Sequence, residues 1–153
     1  MSVRVVVIGG GYAGVIAANR LAASPRGTEL QLTMLTTSER FEERIRLHEY
    51  AAGARGSATQ SYDGLLHPAV RLLTGTTATA IDAERREVRV EHGSPLSYDH
   101  LIVAVGSGAQ MPERPGIHSI SDSIGAERFR EELATLPADA AIAVVGGGLT
   151  AIE

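Results

Sequence analysis

The chain reads as an α/β fold: a parallel sheet with a helix on it, a small antiparallel β-meander, and then the first strand and turn of a second unit of the first kind. Three observations predict this. A β-branched run at 3–8 and a second apolar run at 30–35 flank a stretch with helical spacing, and charged and apolar residues alternate around Val88 and Val90. A glycine-rich turn occurs twice, as VVVIGGGYAG at 5–14 and as AVVGGGLTAIE at 143–153.

Val3-Arg4-Val5-Val6-Val7-Ile8 is a nearly continuous apolar run, the pattern of a parallel strand buried on both faces. Gly9-Gly10-Gly11-Tyr12-Ala13-Gly14 follows, and Val15–Ala22 has helical spacing until Ser24, Pro25 and Gly27 end it. Leu30–Leu35 is a second strand, completing a βαβ unit. In this setting each fingerprint glycine has a physical role. Gly9 permits the tight turn out of the strand, Gly11 lets a pyrophosphate approach the backbone, and Gly14 lets the helix pack on the strand. The helix N-terminus offers N–H groups and the positive end of its dipole to phosphate. Dinucleotide binding follows as the expectation.

One position departs from the fingerprint. An acid is expected at the end of the second strand, about 20 residues past the glycines, to hold ribose hydroxyls. Thr36-Thr37 stand there instead, with Glu39 the nearest acid. Either the Thr36 hydroxyl meets the ribose or Glu39 reaches back.

Residues 38–53 mix charge with Phe41, Ile45, Leu47 and Tyr50, which predicts a helix or ordered loop over the cofactor side of the sheet. Arg44 and Arg46 there either approach phosphates or a flavin ring, or are solvated helix charges. Residues 53–64 read as a polar loop. AVRLLTG is a third parallel strand; TTATAID and ERREVRVEHG form the meander, turning at Asp82–Arg86. Leu101–Val105 is another buried strand, ending in Gly106-Ser107-Gly108.

Composition narrows the functions. The formal charge is −4, with no basic stripe, so no nucleic-acid partner is expected. There is no cysteine, which excludes a disulfide framework, a thiolate metal site and a redox-active cysteine pair within these residues. The five histidines share no metal-like spacing, and no nucleophile–base pair is in view. Apolar runs are too short to span a bilayer and no signal-peptide pattern opens the chain, so a cytoplasmic location is the default expectation.

The ordered set VVVIGGGYAG, YDHLIVAVGS and AVVGGGLTAIE resembles the FAD-dependent pyridine nucleotide–disulfide oxidoreductase superfamily, N-terminal portion. Residues 38–53 lack the paired cysteines of its disulfide reductases, so the chain is most similar to the cysteine-free branch, with type II NADH dehydrogenase-like and apoptosis-inducing-factor-like proteins. The resemblance implies a Rossmann-like FAD-binding domain over 1–112, a linker and connecting helix over 113–136, and the start of an NAD(P)H-binding domain over 137–153.

It further implies site residues. Gly9, Gly11 and Gly14 would face the FAD pyrophosphate, with Tyr12 and Ala13 supplying N–H groups and Thr36 at the ribose position. Ala78 would lie by the adenine, and Ala104, Val105 and Gly106 would pass beside the FAD. Gly146, Gly148 and Ala151 match the NAD(P)H fingerprint, with alanine in the third glycine position, and NADH or NADPH stays open as electron donor. The expected activity passes electrons from NAD(P)H through FAD to an acceptor such as a quinone or a redox protein; a non-catalytic dinucleotide-binding module is the alternative. Membrane contact would come from outside these residues, and pairing of the strand at 141–145 with a second copy makes a homo-oligomer one expected arrangement. The second motif stops one turn into its helix, which reads as a truncated chain with an incomplete FAD site.

Overall fold

The computed structural model describes residues 2–107 and 114–147. The chain divides into two compact units, one of Met1–Phe41 with Ser61–Ser107, the other of Glu42–Gln60 with Gly108–Glu153.

The first unit is built on a four-stranded sheet in the order β5-β2-β1-β9. Its strands are β1 (Val3–Ile8), β2 (Leu30–Leu35), β5 (Val70–Leu73) and β9 (His100–Val103), and every pairing is parallel. β1 lies centrally, with Val3 opposite Leu30 and Ile8 opposite Leu35 on one side, and Val5 opposite His100 on the other. That position explains its apolar run from Val5 to Ile8, since alternate residues serve two separate cores. Val5 and Val7 join Leu32, Met34 and Val70 beneath helix α1 (Tyr12–Ala22), through Val15 and Ala18. Val6, Ile8 and Leu35 point the other way and pack on Val88 and Tyr98.

This second face is covered by the meander, in which β6 (Ala78–Asp82), β7 (Glu87–Val90) and β8 (Leu96–Ser97) pair antiparallel in that order. Asp82 faces Glu87 across the predicted turn, and the Asp82 carboxylate accepts the Arg85 amide at 3.0 Å. β8 has no counterpart in the sequence reading, because two residues between a glycine-rich turn and Tyr98 carry no periodicity.

The strand expected at Leu101–Val105 differs in two ways. It runs over His100–Val103, and it forms the edge of the sheet, paired only with β1 among the described residues. Val103 is therefore 57% exposed and Val105 69%. An apolar run specifies a strand, but its place in the sheet is set by which neighbours dock.

The second unit begins at Glu42, within the ribbon strand β3 (Phe41–Glu42), and holds its partner β4 (Thr59–Gln60), α2 (Leu47–Ala51) and α3 (Ser123–Thr135). Leu47, Ala51, Ala58 and Ala126 form its core, with Tyr50, Ile120 and Phe129 around them. Asp122 caps α3 by accepting the Gly125 amide at 2.7 Å. Arg130, on α3, donates to the carbonyls of Tyr50 and Arg55 at 3.2 and 2.8 Å, and its guanidinium lies 4.8 Å from the Tyr50 ring centroid.

Residues 141–147 belong to this unit and carry no assigned strand; Ile142, Val144 and Val145 are exposed there. A strand exists only through a ladder with a neighbour, and the described residues provide none at this point. No described helix is long and apolar enough to cross a membrane.

Candidate functional site

The four parallel strands of the first unit end at one edge, and backbone bonds draw their exits together. Gly9 N–H donates to the Leu35 carbonyl at 2.8 Å, Thr36 N–H to that of Leu73 at 2.9 Å, and Ala104 N–H to that of Ile8 at 2.8 Å. In open α/β sheets ligands bind outside the carboxyl ends of the strands. The turn at Gly9–Gly11 occupies that place.

The geometry separates the glycines by what surrounds them. Gly9 has φ +111°, and a Cβ there would collide with the Ala104 carbonyl oxygen, so β9 leaves the sheet directly against the turn. A Cβ on Gly14 would strike the carbonyl oxygen of Gly9, which confirms the close approach of α1 to the strand exit. Gly11 is the opposite case. It has ordinary φ (−79°), it is exposed, and a Cβ added there would meet nothing within 4 Å. The protein itself does not need glycine at this position, so the open volume above it is a cradle that a Cβ would fill.

Gly11 is also the N-cap residue of α1. No side chain caps this end and the first turn holds no acid, so the N–H groups entering the helix, those of Tyr12 and exposed Ala13 among them, present positive potential to an anion without a competing carboxylate. An uncapped helix start above a vacant glycine suits a pyrophosphate.

Thr36, at the end of β2, is only 7% exposed. Its Oγ1 accepts the Ser38 amide at 3.3 Å, its carbonyl accepts the Thr76 amide at 2.8 Å, and its side chain fills the space beside Gly10. Glu39, the nearby acid, is exposed, and its carboxylate lies against Gly75.

Ala104 backs the turn as described, while Val105 and Gly106 (φ +72°) continue from it on the exposed side. Ala78 lies in β6 opposite Val90, at an irregularity in the register, and packs toward the Val88–Tyr98 core. Arg44 belongs to the second unit, where its Nε donates to the Ser121 carbonyl at 3.1 Å. Gly146, also in that unit, has φ +138°. Gly148 and Ala151 lie outside the described residues.

Of the aromatic residues at the turn, Phe41 was read only as part of a helix or ordered loop, and Tyr62 escaped the reading of the sequence. Tyr62, within the stretch read as a polar loop, is 5% exposed and donates its hydroxyl to the Gly10 carbonyl at 2.9 Å. Phe41 stands between two aromatic rings, edge-on to Tyr12 at 5.0 Å and to Tyr62 at 6.1 Å. An isolated tyrosine in a polar segment was the available signal.

The shifted titrations lie elsewhere. The Arg4 guanidinium and amide hold the Asp99 carboxyl down at about 2, and Arg4 is raised in return by Asp99. Both sit at the starts of their strands, the end of the sheet opposite the glycine turn.

Comparison with known proteins agrees with this arrangement. The profile of the pyridine nucleotide-disulphide oxidoreductase family matches residues 3–153. A NADH dehydrogenase-like protein of Mycobacterium tuberculosis is 36% identical over 166 residues, covering 98% of this chain and 40% of its own. The ferredoxin–NAD(+) reductase component of the biphenyl dioxygenase system of Paraburkholderia xenovorans is 25% identical, covering 97% of this chain and 38% of its own. The crystal structure of the sulfide:quinone oxidoreductase of Aquifex aeolicus superposes with a TM-score of 0.78 at 22% identity, over 90% of this chain and 33% of that one, and supports the fold. The chain thus spans about 40% of the length of the relatives it matches. With a glycine turn of this geometry and a match over nearly its whole length, the chain belongs to the pyridine nucleotide-disulphide oxidoreductase family, whose members depend on FAD and NAD(P)H.

Proposed function

We propose that the first unit holds FAD and that the chain is the FAD-binding portion of an NAD(P)H-dependent flavoprotein that passes electrons to a quinone or a redox protein. The observation that carries this reading is Gly11, whose surroundings are empty although glycines on both sides are hemmed in by protein atoms. In the reading, Gly9, Gly11 and Gly14 shape the turn, and the N–H groups of Tyr12 and Ala13 meet the pyrophosphate. Thr36 stands at the ribose position and Ala78 by the adenine. Ala104, Val105 and Gly106 run past the flavin. Gly146, with Gly148 and Ala151, opens the nucleotide site for NAD(P)H. FAD held by these residues would supply the redox chemistry that links a hydride donor to the electron acceptor. The chain's part is to bind, orient and shield the cofactor, which requires no acid–base pair. The NADH dehydrogenase-like and ferredoxin reductase relatives support the electron donor and the class of acceptor.

The test is spectroscopic. The protein in a chain of its relatives' length should purify yellow, release FAD on denaturation, and bleach when NADH or NADPH is added without oxygen. A colourless protein that ignores added FAD yet binds NADH would overturn the reading.

A further inference from the structure

The spacing of Gly9, Gly11 and Gly14 leaves the residue between the first two free to vary, yet here it is glycine as well. Its surroundings explain why. A Cβ on Gly10 would collide with the Tyr62 hydroxyl and come within 2.8 Å of the Thr36 side chain. Unlike Gly11, Gly10 is buried, and the three atoms nearest a Cβ there belong to these two side chains. The glycine at this position is therefore the counterpart of Tyr62: without a side chain on residue 10, the phenol reaches the backbone and donates to the Gly10 carbonyl at 2.9 Å.

That bond governs the next amide. The Gly10 carbonyl and the Gly11 N–H belong to one planar trans peptide, so they point in opposite directions. Holding the carbonyl down on Tyr62 turns the Gly11 N–H away from the core, toward the open side of the turn. A peptide between two glycines is the one most easily rotated, and the rotated form would aim a carbonyl oxygen at the phosphates. The hydroxyl is itself held: Tyr62 is buried and its ring is braced edge-on by Phe41, which is braced by Tyr12 at the first turn of α1.

We propose that Tyr62 is a positioning residue for the dinucleotide, fixing the Gly10–Gly11 peptide so that the Gly11 N–H faces the pyrophosphate. The proposal rests on the assignment of the first unit to FAD, and it concerns a residue to which the fingerprint gives no part.

Tyr62→Phe keeps the ring and removes only the donor. Two measurements test it. In the 153-residue chain, 15N relaxation reads the turn directly: the Gly11 order parameter should fall from about 0.85 to below about 0.6, with β1 and α1 unchanged. In the FAD-binding protein, the dissociation constant for FAD should rise about tenfold, the equivalent of one buried hydrogen bond. An unchanged Gly11 order parameter would overturn the proposal, and so would a loosened turn with unaltered FAD affinity. A protein of the relatives' length that takes up no FAD would count against the FAD assignment, while the relaxation measurement would still decide whether the phenol holds the turn. Gly10→Ala provides the second variant. Its methyl displaces the same hydroxyl, so it should reproduce the loss of order at Gly11, and failure to do so would also count against the proposal.

Discussion

Asp99 accepts the backbone amide of Arg4 at 2.8 Å and its guanidinium at 3.2 and 3.1 Å, although 95 residues separate the two. The return bond, from the Asp99 amide to the Arg4 carbonyl at 2.8 Å, closes a clamp across the start of β1 and the entry to β9. Hydrogen bonding to Arg4 lowers the Asp99 carboxyl from 3.8 to about 2, so folding favours its ionised form. The stabilisation is present above about pH 4 and is lost as the pH falls through about 2. Melting curves at pH 7, 4 and 2 should show a smaller acid-induced drop in Asp99→Asn than in the parent. Equal drops would mean that the clamp does not couple to folding. The pair is solvent-exposed, so salt should shrink the difference.

The glycine turn predicts two opposite phenotypes from one type of substitution. Gly9→Ala and Gly14→Ala place a methyl against backbone oxygen, and at Gly9 also force φ +111° on an L residue. Gly9→Ala should cost about 1–3 kcal/mol from the backbone alone. Gly11→Val should leave chemical denaturation within about 0.5 kcal/mol of the parent while abolishing FAD binding, because its Cβ meets no protein atom within 4 Å at this exposed position. Retained flavin in Gly11→Val would remove the pyrophosphate from this turn.

The core makes a third prediction. Met34 is completely buried between α1 and the sheet, whereas Ile81, on the meander, is 47% exposed. Met34→Ala should cost about 2–5 kcal/mol, and Ile81→Ala within about 0.5 kcal/mol. Urea unfolding of the two variants separates them, and similar values would contradict the two-faced packing described for this sheet.

Taken alone, the sequence determined what depends on near neighbours. The bounds of β1 and β2 follow from their apolar runs, and the hairpin turn at Asp82–Arg86 from its local turn chemistry. The glycine spacing determined the βαβ turn, and with the two later motifs it determined the family. The sheet order, by contrast, was decided by packing. β9 and β1 carry similar runs, yet β1 is central and β9 lies at the edge, because burial on a strand's flanks depends on which distant segments dock there. The exposed Val103 and Val105 record that difference.

The site divides along the same line. The fingerprint glycines were legible because pyrophosphate binding imposes a fixed spacing within one short stretch. Tyr62 and Thr36 were not legible as the walls around Gly10, since a hydroxyl 52 residues away meets that carbonyl only through the tertiary fold. Nor could spacing show that Gly9 and Gly14 are required by protein atoms while Gly11 is required by none. Local sequence encodes the path of the backbone; which atoms fill or leave empty the space beside it is settled only when remote segments pack together.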